Sequence, residues 1–137
     1  MEDRYLFKAK RLDNGEWVKG ALVYDDRDRL YRIITEINYS TGTCLTTDNA
    51  PRVDLSTICQ CTGLKDKNDK LIYENDIIRC KVGTAKVIWD KSEWRIEWLK
   101  NDLWRKDLYY WAVEDIQRIV VIGNIFGNKE LLESEEK

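Results

Sequence analysis

Residues 94–99 read WRIEWL. On an extended chain Trp94, Ile96 and Trp98 fall on one face and Arg95 and Glu97 on the other, the period of a half-buried strand. Outward from this segment, runs at 71–73, 77–82, 85–90, 109–113 and 119–125 are rich in Val, Ile, Tyr and Trp, and Val82, Gly83 and Thr84 offer a turn. Short strands joined by short turns suit an SH3-like β-barrel over residues 62–137. The first half repeats the pattern at 5–10, 17–24 and 30–37, with turn signals DNG at 13–15 and DDRD at 25–28. Residues 38–56 are polar, hold the single proline, Pro51, and read as irregular with one short strand at 43–47. The expected fold class is all-β: an N-terminal antiparallel β region over 1–61 packed against the barrel, with a short C-terminal helix. Asn128 would cap that helix, Glu130 would sit in its first turn, and Leu131 and Leu132 would tether it.

Composition narrows the function. The 137 residues are 43% hydrophobic and include 15 aromatic residues, enough to fill a packed interior. Residues 1–61 carry nine basic and ten acidic groups and residues 62–137 fourteen and fifteen, so neither half is a bulk attractor for nucleic acid or anionic lipid. No apolar run approaches the roughly 18 residues of a membrane span. The opening MEDRYLFKAK lacks the apolar core of a signal peptide, and a cytoplasmic location is expected. Cys44, Cys59, Cys61 and Cys80 are then reduced, and they form no C-x-x-C pair. They read as small buried hydrophobes rather than metal ligands.

The chain has no histidine, which removes Ser-His and Cys-His nucleophilic pairs and imidazole acid–base chemistry. It has no phosphate-binding glycine loop. Carboxylates at Asp66, Asp69, Glu74 and Asp76 could form a divalent-ion or acid–base site, but Lys65, Lys67 and Lys70 interleave with them. The blander reading is a solvated loop with Asp66–Lys70 as its tip and Asp76 hydrogen-bonded to the turn's backbone. No catalytic residue, metal, cofactor or small-molecule substrate is therefore assigned.

Trp89, Trp94, Trp98, Trp104, Tyr109, Tyr110 and Trp111 lie within 23 residues. Aromatics interleaved with Lys and Arg are how small barrels hold single-stranded nucleic acid. A packed aromatic core or a protein interface is the competing and favoured reading. The candidate contact surface is Trp104, Arg105, Lys106 and Tyr110, since Trp104 lies in the polar stretch NDLWRKD. Three functions are carried forward: protein contact or self-association, single-stranded nucleic-acid binding, and a metal-dependent enzyme using Glu74 and Asp76.

Residues 61–78, CTGLKDKNDKLIYENDII, resemble the signature of the YopX family of small bacteriophage and prophage proteins. EWVKGALV at 16–23 and VIGNIFGNKELLE at 121–133 are similar to that family's opening and closing segments. The resemblance rests on Trp17, Gly20, Thr62, Gly63, Leu64, Asp66, Tyr73, Glu74, Asp76, Gly123 and Asn124. It implies a mostly β fold with a small barrel, an origin in phages of Gram-positive bacteria, and no established activity or catalytic residues. Asp69 and Asn75 stand where the family has Gly, and Lys129 where it has Pro. Asp and Asn tolerate left-handed backbone, so both turns keep their geometry if φ is positive there.

Overall fold

The computed structural model describes residues 5–35, 50–81, 83–99, 106–114 and 119–130. The fold is nearly all β, and the chain divides into two compact units, Met1–Cys61 and Thr62–Lys137.

In the first unit β1 (Phe7–Lys10), β2 (Trp17–Asp25), β3 (Leu30–Ile34) and β4 (Arg52–Val53) pair antiparallel in sequence order. The DNG turn joins β1 to β2 with Gly15 at φ 72°. Arg29, at φ 58°, ends the second turn. The pairing path then returns on itself. Arg11 bridges Val53, Leu12 N donates to Arg52 O at 2.9 Å, and Asp54 N donates to Lys10 O at 2.8 Å. β4 thus lies between β3 and the end of β1, which leaves neither of its edges open for aggregation. Ala9, Ile33 and Val53 are buried inside, with Phe7, Val18, Leu22, Tyr31 and Ile58 packed around them. β5 (Cys59–Lys65) begins in this unit, where Cys59 and Gln60 pair with β1.

The first unit also holds a charge network. Asp25 and Arg32 are buried, and Arg32 donates to Asp25 at 2.9 Å, to Asp28 at 2.9 Å and to the Ala50 carbonyl at 2.6 Å. Arg27 donates to Asp25 from its guanidinium and its backbone. The Arg27 side-chain hydrogen bond is the largest cause, with its backbone bond next, of an Asp25 pKa lowered to about 2.

In the second unit β5 continues to Lys65 beside β6 (Leu71–Tyr73). A four-stranded sheet follows in the order β10-β7-β8-β9, from β7 (Asp76–Cys80), β8 (Gly83–Asp90), β9 (Glu93–Trp98) and β10 (Val120–Asn124). Its core gathers Ile72, Ile78, Ala85, Val87, Ile96, Leu108, Trp111 and Ile119, among others. Ile96 is buried, and Trp94 and Trp98 pack against that core, as the alternation in WRIEWL requires.

Two expectations change. Residues 109–113 are not a strand: residues 108–109 are α-helical and Tyr110–Glu114 form a π turn. Leu108, Trp111 and Ala112 are buried while Tyr109 and Val113 are exposed, a helical spacing that the β-prone letters YYWAV concealed. Asp107 supplies the cap, its carboxylate accepting from Tyr110 N at 3.3 Å. β4 comes from a segment that carried no strand expectation. The strand expected at 43–47 and Cys44 lie outside the described residues, as do Leu131 and Leu132; Lys129 and Glu130 are helical. Cys59 and Cys61 are buried and Cys80 is half-buried.

Candidate functional site: an aromatic cleft on a signature-built scaffold

The signature segment folds as a set of backbone locks. Thr62 donates its hydroxyl to Ile72 O at 2.8 Å and accepts from Leu64 N, which joins β5 to β6. Gly63 sits at φ 83°. Asp66 is not part of a solvated tip: Lys67–Lys70 are exposed, but Asp66 is 5% exposed. Its Oδ1 accepts from Asn68 N at 2.8 Å and Lys70 N at 2.9 Å, and its Oδ2 accepts from Val121 N at 3.0 Å. One carboxylate therefore shapes the hairpin end and fastens it to β10. An amide-rich loop looks solvated in sequence because the long-range partner, 55 positions away, is invisible there.

The turn after β6 works in the same way. Asp76 is 2% exposed and accepts from Tyr73 N at 2.8 Å. Asn75 sits at φ 69° and Asp69 at φ 62°, the left-handed geometry that Asn and Asp tolerate. Asn75 N donates to Val87 O and its carbonyl accepts from Ile125 N. Tyr73 is buried, and Glu74 is half-buried. At the far end Asn124 accepts from Phe126 N and Gly127 N, both at 2.9 Å, and Asn128 returns a side-chain bond to Asn124 N. A Cβ on Gly123 would collide with that Asn128 side chain. In the first unit Gly20 leaves no room for a Cβ against the Ile34 carbonyl, and Trp17 lies under the ammonium groups of Lys8 and Lys10 at 5.1 and 5.6 Å. These side chains are spent on architecture. Glu74 and Asp76 do not converge on a third ligand, and no group of three or more candidate metal ligands occurs among the described residues.

The surface that remains available is built on the β8–β9 hairpin. Its two-residue turn, Lys91 and Ser92, has φ of 53° and 63°, the mirror-image turn that follows strand twist but is normally filled by Asn-Gly. Just inside the turn Trp89 pairs across the strands with Trp94, rings edge to face at 5.0 Å. The face that buries Ala85 and Val87 continues past the core to Trp89, which is 55% exposed. Tyr109, on the helical turn, is 54% exposed. Trp89, Trp94 and Tyr109 line a cleft of about 380 Å³ together with Thr62 and Leu64 of the signature. Ser92, Glu93 and Asp107 complete it. The two charged side chains of that lining, Glu93 and Asp107, are carboxylates.

Of the residues expected to form a contact surface, Trp104 and Arg105 lie outside the described residues. Lys106 lines a different recess, of about 170 Å³, with Lys91, Arg95, Asp90 and Glu97. Tyr110 is half-buried, edge to face with Trp111 at 5.1 Å. The residues missed were Trp89 and Tyr109. Each stands beside its charged neighbours in a way the sequence did show, but the strand reading of 109–113 put Tyr109 in the wrong register.

A family model described as YopX protein matches residues 6–133. Among solved structures, protein EF1440 from Enterococcus faecalis is similar, with a TM-score of 0.52 at 22% identity over 92% of this chain and 96% of that one. That likeness speaks to the fold. No curated protein matches the chain.

Proposed function

The chain belongs to the YopX family, and we propose that it is a phage- or prophage-encoded accessory protein of the host cytoplasm. It acts without catalysis, by binding another protein. The observation that carries this reading is the aromatic cleft: Trp89 and Tyr109 keep more than half their surface in water beside a half-buried Trp94. Exposing two large rings costs burial energy, and such aromatics are where binding energy concentrates in protein interfaces. The second unit is read as an SH3-like small barrel. Support comes from the bridge of β9 to Asp107 and from the Lys67 N bond to Ile119 O beside β10. No helix among the described residues is long and apolar enough to cross a membrane.

Nucleic-acid binding is the weaker alternative, because the cations Lys91, Arg95 and Lys106 line the second recess while the stacking rings line the acidic cleft. The test is affinity capture from infected host cells with the wild-type chain and with Trp89→Ala/Tyr109→Ala. A partner protein retained by wild type and lost with the double variant is expected. Equal recovery by both chains would refute the cleft as the contact.

A further inference from the structure

We propose that the cleft takes an arginine side chain presented by a segment of a partner polypeptide. The inference deepens the contact reading and rests on it. Its argument is charge complementarity. Glu93 and Asp107 are the charged groups of the lining, and Trp89, Trp94 and Tyr109 present aromatic rings beside them. An aromatic face attracts a cation through its quadrupole, and Trp does so most strongly. A carboxylate at the edge of such a face adds a charge-assisted hydrogen bond. Guanidinium meets both demands at once, since it stacks flat on a ring while its edge donates in a fork.

Glu93 already pairs with Arg95 on its own strand, with side chains 46% and 23% exposed. A pair still partly in water contributes little and can exchange with an incoming donor. Asp107 gives one oxygen to Tyr110 N at 3.3 Å. An arriving cation therefore improves the balance of the cleft, whereas a phosphate or a carboxylate would meet two like charges. The volume of about 380 Å³ lies at the small end of ligand sites, which suits one or two side chains rather than a folded surface.

The probe is acetyl-Leu-Arg-Leu-amide, titrated into the full chain while the indole N–H signals are followed by NMR. The citrulline analogue keeps the shape and loses the charge, and acetyl-Leu-Glu-Leu-amide reverses it. Shifts at Trp89 and Trp94 are expected with the arginine peptide, at least about tenfold weaker with citrulline, and absent with glutamate. Glu93→Gln/Asp107→Asn should weaken the arginine peptide several-fold, and Asn at 107 still caps the helix.

Equal binding of arginine and citrulline peptides, or no shift with any peptide, overturns the inference. So does a larger shift with an oligothymidine, which would assign the rings to nucleic acid. A dimer in light scattering that Trp89→Ala dissociates would make a second copy the occupant and also overturn it. The captured partner separates the two levels. If Trp89→Ala/Tyr109→Ala abolishes capture while Glu93→Gln/Asp107→Asn leaves it whole, contact through the cleft stands and the arginine assignment falls.

Discussion

Replacing Asp66 with Ala tests whether the signature is scaffold. The carboxylate is buried and accepts three backbone N–H groups, from Asn68, Lys70 and Val121. Asn68 and Lys70 lie on the exposed end of the hairpin, so water can replace their acceptor at about 0.5 kcal/mol each. Val121 is buried, and its N–H would lose a charged acceptor where water is scarce, a loss of about 2 kcal/mol. The sum is about 3 kcal/mol, or a fall in melting temperature of roughly 10 °C for a chain this size. Asp66→Asn keeps one oxygen for the hairpin and should cost about 2 kcal/mol, because its amide now opposes the Val121 N–H. Thermal and urea unfolding followed by tryptophan fluorescence is the assay. Trp89, Trp94, Trp98, Trp104 and Trp111 all belong to the second unit, so the signal reports on the perturbed part. A Tm shift under about 2 °C for Asp66→Ala would place the residue among ordinary surface substitutions and refute the lock.

Two other predictions concern separate parts of the chain. Asp25 has its pKa lowered from 3.8 to about 2, first by the Arg27 side-chain hydrogen bond. A depressed carboxylate stabilises the fold above its unfolded pKa, so this contribution is complete above about pH 4 and fades as pH falls toward 2. Asp25→Asn should flatten the acid limb of a stability–pH curve recorded by circular dichroism on the full chain; an unchanged limb would refute the assignment. At the β8–β9 turn, Lys91→Asn with Ser92→Gly supplies residues that suit φ of 53° and 63° and should stabilise by about 1 kcal/mol in urea unfolding. A loss of stability would mean that the Lys91 and Ser92 side chains contribute more than their backbone strain costs.

What the sequence disclosed depended on how local its cause was. The alternation of Trp94, Ile96 and Trp98 and the left-handed tolerance of Asp69 and Asn75 are properties of a few neighbouring residues, and the structure has both. The Asp76 bond to Tyr73 N spans three positions and was equally readable. Asp66 was misjudged because its decisive partner is β10. β4 was missed because a two-residue strand has no periodicity, and it exists only through its pairs with β3 and Arg11. Residues 109–113 failed for another reason: aromatic and β-branched residues favour strands on average, but the Asp107 cap and the buried spacing of Leu108, Trp111 and Ala112 outweigh that preference.

The cleft draws these threads together, because its lining is divided between the two kinds of residue. Thr62 and Leu64 belong to the signature, and their positions are set by the Thr62 bond to Ile72 O and by the Asp66 lock one residue beyond Lys65. Trp89, Trp94 and Tyr109 come from the hairpin and the capped turn, where no lock holds the rings from water. Rigid backbone on one side with exposed aromatics on the other is the arrangement a contact site needs, since the scaffold bears the cost of ordering before a partner arrives. It follows that damage to the scaffold and damage to the rings should separate. Trp89→Ala removes a side chain that is 55% exposed, so it should leave unfolding within about 1 kcal/mol of wild type while abolishing partner capture. Asp66→Asn should do the reverse: it should lower stability and retain capture at temperatures where the chain is still folded. If both variants instead lost stability and capture together, the exposed tryptophan would be part of the core, and the division between scaffold and contact surface would not hold.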